Sequence, residues 1–578
     1  INQRPLNATL ARQYDGTTNA AGSDLSSFDA LQGGETLTLS GSGTAANDNV
    51  ANGISVSSLG SLALVNGTGL ASNYSLNSAA INITQRVLTS SGSKAYDANT
   101  NALAADITLS NLVSGEALNH SGTASISSAN AGSYTITNLA GITIADGSGG
   151  AASNYTLTGG THNFTVNPKV ISLSGLRLYD ATTDAVASDL TTISGLVGSE
   201  TLNLSGTGSV ANANVANNKT VTLGTLALAD NSGLAANYTL SGGTHQLTVD
   251  QRPLNATLAR QYDGTTASAG SDLSSFDALQ GGETLTLSGS GTVGDENVAN
   301  GQAVTLGTLA LVDGTGLASN YSLNSASLNI TERVLNSSGS KTYDANTNAL
   351  AADITLSNLV SGEALNHSGT ATISSANAGS YTITNLAGIT IADGSGGTAS
   401  NYTLTGGTHN FTVNRRIVSV SGTRLYDATT NAIASDLSTH ANLVGSETLN
   451  LSGIGTIASK NVGPNKTVSV GTLALADGSN GGLAANYTLS GGTHQLTVDQ
   501  RPLNATLARQ YDGTTASAGS DLSSFDALQG GETLTLSGSG TSASANVANG
   551  IAMSSNGNLA LVDGTGLASN YSLNSTVI

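Results

Sequence analysis

The chain has 578 residues and a formal charge of −19, yet only 10% of it is charged and it contains neither cysteine nor tryptophan. The missing thiols exclude disulfides and thiolate metal centres, and the acidic balance disfavours nucleic acid and anionic lipid as partners. No apolar run approaches the roughly 20 residues that a membrane-spanning helix needs, which argues against direct membrane insertion.

Taken in order, the chain repeats itself. Arg12-Gln13-Tyr14-Asp15-Gly16-Thr17-Thr18 returns around Tyr96-Asp97, Tyr179-Asp180, Tyr262-Asp263, Tyr343-Asp344, Tyr426-Asp427 and Tyr511-Asp512, with the tyrosines 81 to 85 residues apart. That period suits one small domain better than one coil of a solenoid. The expected domains are residues 1–80, 81–163, 164–246, 247–327, 328–410, 411–495 and 496–578. They fall into three kinds: A (repeats 1, 4 and 7), B (repeats 2 and 5) and C (repeats 3 and 6). Asp250 to Thr292 and Asp499 to Thr541 are identical over 43 residues, the mark of recent duplication. Both chain ends fall at repeat junctions, so the expectation is an excerpt of a longer polypeptide.

Within each repeat, runs such as Thr36-Leu37-Thr38-Leu39 and Thr225-Leu226-Ala227-Leu228 alternate with period two, as half-buried strands do. No stretch sustains a helical period, and glycine is too frequent for long helices. Tyr238 to Val249, with Gly242-Gly243 at its centre, reads as a hairpin. The expected class is all-β: seven tandem small antiparallel β-sandwich (Ig-like) domains in an elongated rod, each with its own hydrophobic centre. Junctions carry four of the five prolines and no Gly/Ser spacer, which implies stiff coupling.

Charges are scarce, so their positions inform. A basic residue precedes each motif tyrosine by two places, which puts Arg12 beside Tyr14 on a strand and Asp15 on the opposite face. Three acids recur per repeat, in the first as Asp15, Asp24 and Glu35. Calcium binding is the sharper reading of them. The plainer and favoured reading has Asp15 capping its turn through Thr17 and Thr18, Asp24 opening the next strand and Glu35 pairing with a basic residue. The Asp-Gly turn at Asp146 is Asn66-Gly67 in repeat 1, which keeps the turn and drops the charge. A second tyrosine follows Asn in every repeat, from Asn73-Tyr74 to Asn570-Tyr571. Both tyrosines are expected in the core, with hydroxyls bonded to backbone at a corner. His162, His245, His409 and His494 follow Gly-Gly-Thr and are expected as solvated turn residues. No catalytic constellation and no cofactor site is legible, so the chain is not expected to be an enzyme.

The succession of Tyr-Asp-Gly/Ala-Thr/Asn, a Gly-x-Glu-x-Leu strand, Asn-Val-Ala-Asn and Ala-x-Asn-Tyr-x-Leu resembles the YDG and MBG repeat domains of very large secreted bacterial adhesins. These include filamentous-haemagglutinin-like exoproteins of two-partner secretion systems. The resemblance covers all seven repeats. It implies export to the cell surface or biofilm matrix, a tandem β array and a structural or adhesive role. Self-association, other matrix components, glycans or a host surface would then be the partners. Kinds B and C carry Ala98 and Ala181 in place of the motif glycine, so that position is not expected to demand a positive φ. The rival readings are a subunit of a self-assembling filament built by strand exchange, and a glycan-binding module; the scarcity of aromatics weakens the second.

Overall fold

A computed structural model describes all 578 residues. The protein is all-β, its only helical pieces being single 3-10 turns, two to a repeat. Repeat 1 shows the plan. Its strands are β1 (Arg4–Gln13), β2 (Asn19–Ala21), β3 (Leu25–Phe28), β4 (Leu37–Ser40), β5 (Ser42–Ala45), β6 (Ala51–Ser58), β7 (Ala63–Asn66) and β8 (Tyr74–Thr84). Six of them form one sheet in the order β2-β5-β6-β8-β1-β3, while β4 and β7 form a separate antiparallel pair.

Most pairings are antiparallel, as expected, but the longest is not. β1 and β8 run parallel, from Arg4 opposite Tyr74 to Gln13 opposite Thr84. The counterparts in repeats 2, 3, 5, 6 and 7 do the same. A parallel pair needs a long crossover connection, and here the rest of the repeat supplies it. β1 buries Leu6, Ala8 and Leu10 on alternate positions and β8 buries Ala79, Ile81 and Ile83. β8 crosses the expected boundary at residue 80 without a break, and Arg86–Val87 opens the next repeat two residues after it ends.

The expected hairpin from Tyr238 to Val249 is absent. Tyr238–Thr239 pairs parallel with Lys169–Val170, and His245–Asp250 continues parallel beside Leu173–Leu178. Both arms therefore advance in one direction along consecutive stretches of the same neighbour, and the Gly-Gly segment is an excursion within one strand path. The turn itself is tight: Gly243 donates its N–H to the Leu240 carbonyl at 3.0 Å. A Cβ at Gly243 would lie 2.0 Å from the Ile171 carbonyl oxygen, so no side chain fits there.

The histidine after this excursion is buried, not solvated. His245 is 5% exposed. The Leu173 N–H donates to its Nδ1 at 3.2 Å, which leaves Nε2 to carry the proton to the Leu240 carbonyl at 2.8 Å. His494 makes the same two bonds, with Val420 and Leu489. In kind B, Ser90 and Ser337 hydroxyls meet Nδ1 of His162 and His409. The ring pins the excursion to the sheet.

The hydrophobic centres do not respect repeat boundaries. The core of repeat 1 around Leu10, Tyr14, Ile54, Ile81 and Ile83 takes in Leu88 and Tyr155 of repeat 2. Leu6, Leu37 and Tyr74, at the other end of repeat 1, form a small cluster of their own. Their counterparts Leu254, Leu285 and Tyr321 of repeat 4 belong to a core shared with repeats 2 and 3. Likewise Leu503, Leu534 and Tyr571 of repeat 7 join the core of repeats 5 and 6. Each repeat thus has a front half, built on this Leu-Leu-Tyr trio, and a back half built on the motif tyrosine.

The back half of one repeat packs with the front half of the next, and in repeats 3 and 6 the two halves also share one core. One separate centre per repeat was the expectation; the structure offsets it by half a repeat. The chain divides into two compact units, Ile1–Ala256 with Phe276–Ser288 and Ala310–Ser325, and Thr257–Ser275 with Gly289–Leu309 and Ala326–Ile578. The division passes through repeat 4 itself. Its segments in the first unit are the front-half pieces, the counterparts of β4, β7 and the starts of β1 and β8.

Candidate functional site at the repeat junctions

The motif tyrosine ends a strand, and the Asp-Gly/Ala turn behind it holds it in place. The Thr17 N–H and hydroxyl both donate to Asp15 Oδ1, at 3.0 and 2.9 Å. Asp15 also folds back onto Arg12 in an ion pair repeated in every repeat, so it does not point away from the basic residue. The strand stops at Gln13, and alternation stops with it. The turn residue is left-handed in all seven repeats, with φ between +61° and +73° whether it is Gly16, Ala98, Ala181, Gly264, Ala345, Ala428 or Gly513. Alanine therefore occupies a glycine conformation instead of releasing it.

Where the basic residue is arginine, the residue five places on is threonine, and its carbonyl takes the Arg12 or Arg177 guanidinium. Where it is Lys94 or Lys341, that residue is asparagine. The shorter ammonium reaches both the carbonyl and the Oδ1 of Asn99 or Asn346, at 2.8 to 2.9 Å.

The tyrosine so placed faces the next repeat. Tyr14 donates its hydroxyl to Glu116 Oε1 at 2.6 Å, and Tyr155 of repeat 2 donates to Glu116 Oε2 at 2.6 Å. The rings meet edge to face, centroids 5.4 Å apart and planes at 78°. The Tyr155 oxygen also accepts the Val113 N–H at 3.0 Å. The same clasp closes five more junctions: Tyr96–Glu200–Tyr238, Tyr179–Glu283–Tyr321, Tyr262–Glu363–Tyr402, Tyr343–Glu447–Tyr487 and Tyr426–Glu532–Tyr571. Ring centroids lie 5.2 to 5.4 Å apart throughout.

Burial, then the hydrogen bond to the carboxylate, pushes Tyr14 and Tyr155 up to about 12. Tyr238, Tyr321 and Tyr487 are raised to about 12 in the same way. Burial works against ionisation of Glu532, but bonds from Lys460, Tyr426 and Tyr571 outweigh it and hold the carboxyl below its usual range.

An asparagine contact flanks each clasp, and an arginine contact flanks five of the six, the second junction carrying Lys169 instead. The asparagine before the second tyrosine is not a turn residue alone. Asn154 accepts the Val50 N–H of repeat 1 at 2.9 Å and donates to Asn49 Oδ1 at 3.0 Å. Asn237, Asn320, Asn401, Asn486 and Asn570 repeat this pairing across their junctions. On the other side, junction arginines bind the carbonyl of the motif tyrosine, Arg252 to Tyr179 and Arg501 to Tyr426, both at 2.6 Å. In repeat 6 Arg416 does this, at 3.3 Å from the Tyr343 carbonyl, and not its neighbour Arg415.

The structure therefore brings together both tyrosines of the sequence reading, and adds the glutamate that reading assigned to a basic partner. Only Glu532 also meets a lysine, Lys460 at 2.8 Å. Both hydroxyls serve a carboxylate, and that of the second tyrosine also accepts a backbone N–H, as expected. A signal was present in the chain: seven of its nine glutamates sit at this one repeat position.

Asp24 accepts the Ala21 N–H at the 3-10 turn before β3. Asn66 and Asp146 each accept a backbone N–H, from Ala71 and Ala152 at 2.7 and 2.8 Å. The recurring acids are thus engaged in turns and clasps, and no group of three or more acidic or histidine side chains is gathered at one place.

The profile of the YDG domain matches residues 2–82, 81–162, 165–248, 244–330, 327–410, 411–497 and 493–578, which takes in the whole chain. The chain belongs to the YDG domain family. A search of curated proteins returned no match. In this YDG array the motif tyrosine and aspartate have distinct parts, the aspartate shaping the turn and the tyrosine closing the junction.

Proposed function

We propose that this YDG array is a structural, non-catalytic segment of a large extracellular bacterial adhesin, a stiff spacer at the cell surface or in the biofilm matrix. The observation that carries this reading is the clasp at six successive junctions. Each one joins neighbours by a shared carboxylate, an aromatic pair, an asparagine bridge and a common core, where a flexible tether would need none of these. Such coupling converts chain length into reach, because a bend at any junction would expose apolar surface and break charge-assisted hydrogen bonds. Other matrix components or a host surface are the partners this role implies.

The test is small-angle scattering and electron microscopy on the intact chain beside a variant in which the six junction glutamates are alanine. The wild type is expected to show fixed angles between neighbours and the variant a broad distribution. Equal flexibility in the two would overturn the spacer role. Antibody labelling of unpermeabilised cells tests the location, and signal confined to lysed cells would overturn it.

A further inference from the structure

We propose that the left-handed turn residue of one repeat and the loop ahead of the clasp glutamate in the next form a matching pair that selects which kind of repeat docks. This rests on the junction clasp but not on the adhesin role. At A-to-B junctions the turn residue is glycine and the loop presents valine. A Cβ on Gly16 would come within 2.7 Å of Val113 Cγ1, and one on Gly264 within 2.8 Å of Val360 Cγ1. At C-to-A junctions the contact falls on the next loop residue, two places before the glutamate instead of three. The turn residue is Ala181 or Ala428, and the loop presents Gly281 or Gly530, where an added Cβ would meet the alanine Cβ at 3.0 or 2.8 Å. At A-to-B junctions the valine thus requires glycine in the turn, and at C-to-A junctions alanine in the turn requires glycine two places before the glutamate, where kind B has Ser114 or Ser361. At B-to-C junctions alanine turns meet loops with valine (Val197, Val444) followed by glycine, and that glycine is out of contact: Ala98 and Ala345 are exposed, and Gly198 and Gly445 have nothing within 4 Å of an added Cβ.

The surface is therefore specific for its partner in two of the three junction types. A C repeat followed by a B repeat would set an alanine Cβ against Ser114 or Ser361 in place of that glycine. An A repeat followed by an A repeat would put Gln280 or Gln529 where the valine packs. In a chain whose repeats are otherwise alike, this pairing discriminates the correct neighbour from the wrong one during folding, at a cost to mispairing that overpacked contacts carry.

The chain contains its own controls. Gly264 and Gly513 share φ +73° and lie in identical sequence, but a Cβ on Gly513 meets nothing within 4 Å. Gly33 stands in the same relation to Gly281. Hydrogen exchange measured by mass spectrometry on the full chain reads each junction separately.

Gly264→Ala is expected to speed exchange at Val360 to Glu363 and around Tyr402 by about tenfold. Gly513→Ala should change repeat 7 much less, since it carries only the backbone cost. Gly281→Ala should loosen the third junction, Gly33→Ala should not disturb its own loop comparably, and Ala181→Gly with Gly281→Ala should restore protection. Equal effects of Gly264→Ala and Gly513→Ala, or no rescue by the double variant, would show that backbone strain alone is at work and overturn the pairing.

Discussion

Tyr14 and Tyr155 come from different repeats, meet edge to face at 5.4 Å and bind the two oxygens of one carboxylate, that of Glu116. The pair closes the first junction, and its geometry sets what happens when either partner is altered.

Tyr14→Phe removes one charge-assisted hydrogen bond and keeps the ring contact, so the junction should lose about 1.5–3 kcal/mol. Glu116→Ala leaves two buried hydroxyls without their acceptor and should cost more than Tyr14→Phe. Local exchange at Val113 and Tyr155 measures both. Loss spread evenly over all seven repeats, and not confined to the first junction, would contradict a local clasp.

Alkali should open the junctions. A tyrosine whose folded value is raised above 10 binds its proton more tightly in the folded state. Its contribution is therefore complete below pH 10 and is lost as pH climbs from there through about 12. Tyrosinate absorbance and circular dichroism, followed together, should change in the same window. Ionisation completed near pH 10 with the fold intact would show that the hydroxyls are not held.

Ala98 sits exposed at φ +61°. Ala98→Gly removes a left-handed penalty with no packing to lose, so repeat 2 should gain about 1 kcal/mol. Ala181→Gly should gain less, because Ala181 packs against Gly281. Denaturant unfolding of the two variants gives the comparison, and a larger gain at Ala181 would refute it.

His245→Ala should free the Gly-Gly excursion. The Leu173 N–H and the Leu240 carbonyl lose their partner together, a cost of about 1–3 kcal/mol for a buried amide left unpaired. Limited proteolysis should then cut near Gly242, where the wild type resists. Unchanged resistance would mean that the sheet holds the excursion without the ring.

A chelator should leave the melting midpoint where it is, since Asp15, Asp24 and Glu116 are engaged by Thr17, Ala21 and the tyrosines. A fall in the midpoint on chelation, reversed by calcium, would reinstate a cation.

Much of this molecule is written locally. The alternation of leucine with threonine declares strands, Asp15 with Thr17 declares its turn, and the return of Tyr-Asp declares seven like repeats of one family. Those features depend on neighbours a few residues apart, and a reader of the sequence meets them together.

What the sequence left open lies between residues about a hundred positions apart. Nothing near Tyr14 says that its hydroxyl belongs to Glu116, and nothing near Gly242 says that the chain resumes its direction after the turn. A period-two pattern fixes which face of a strand is buried but not which strand lies beside it. Parallel pairing of β1 with β8, and cores offset by half a repeat, came from the tertiary structure alone. The reason is physical: from the second repeat on, a front half built on a small apolar trio packs on the repeat before it, and that contact lies beyond the reach of any local pattern.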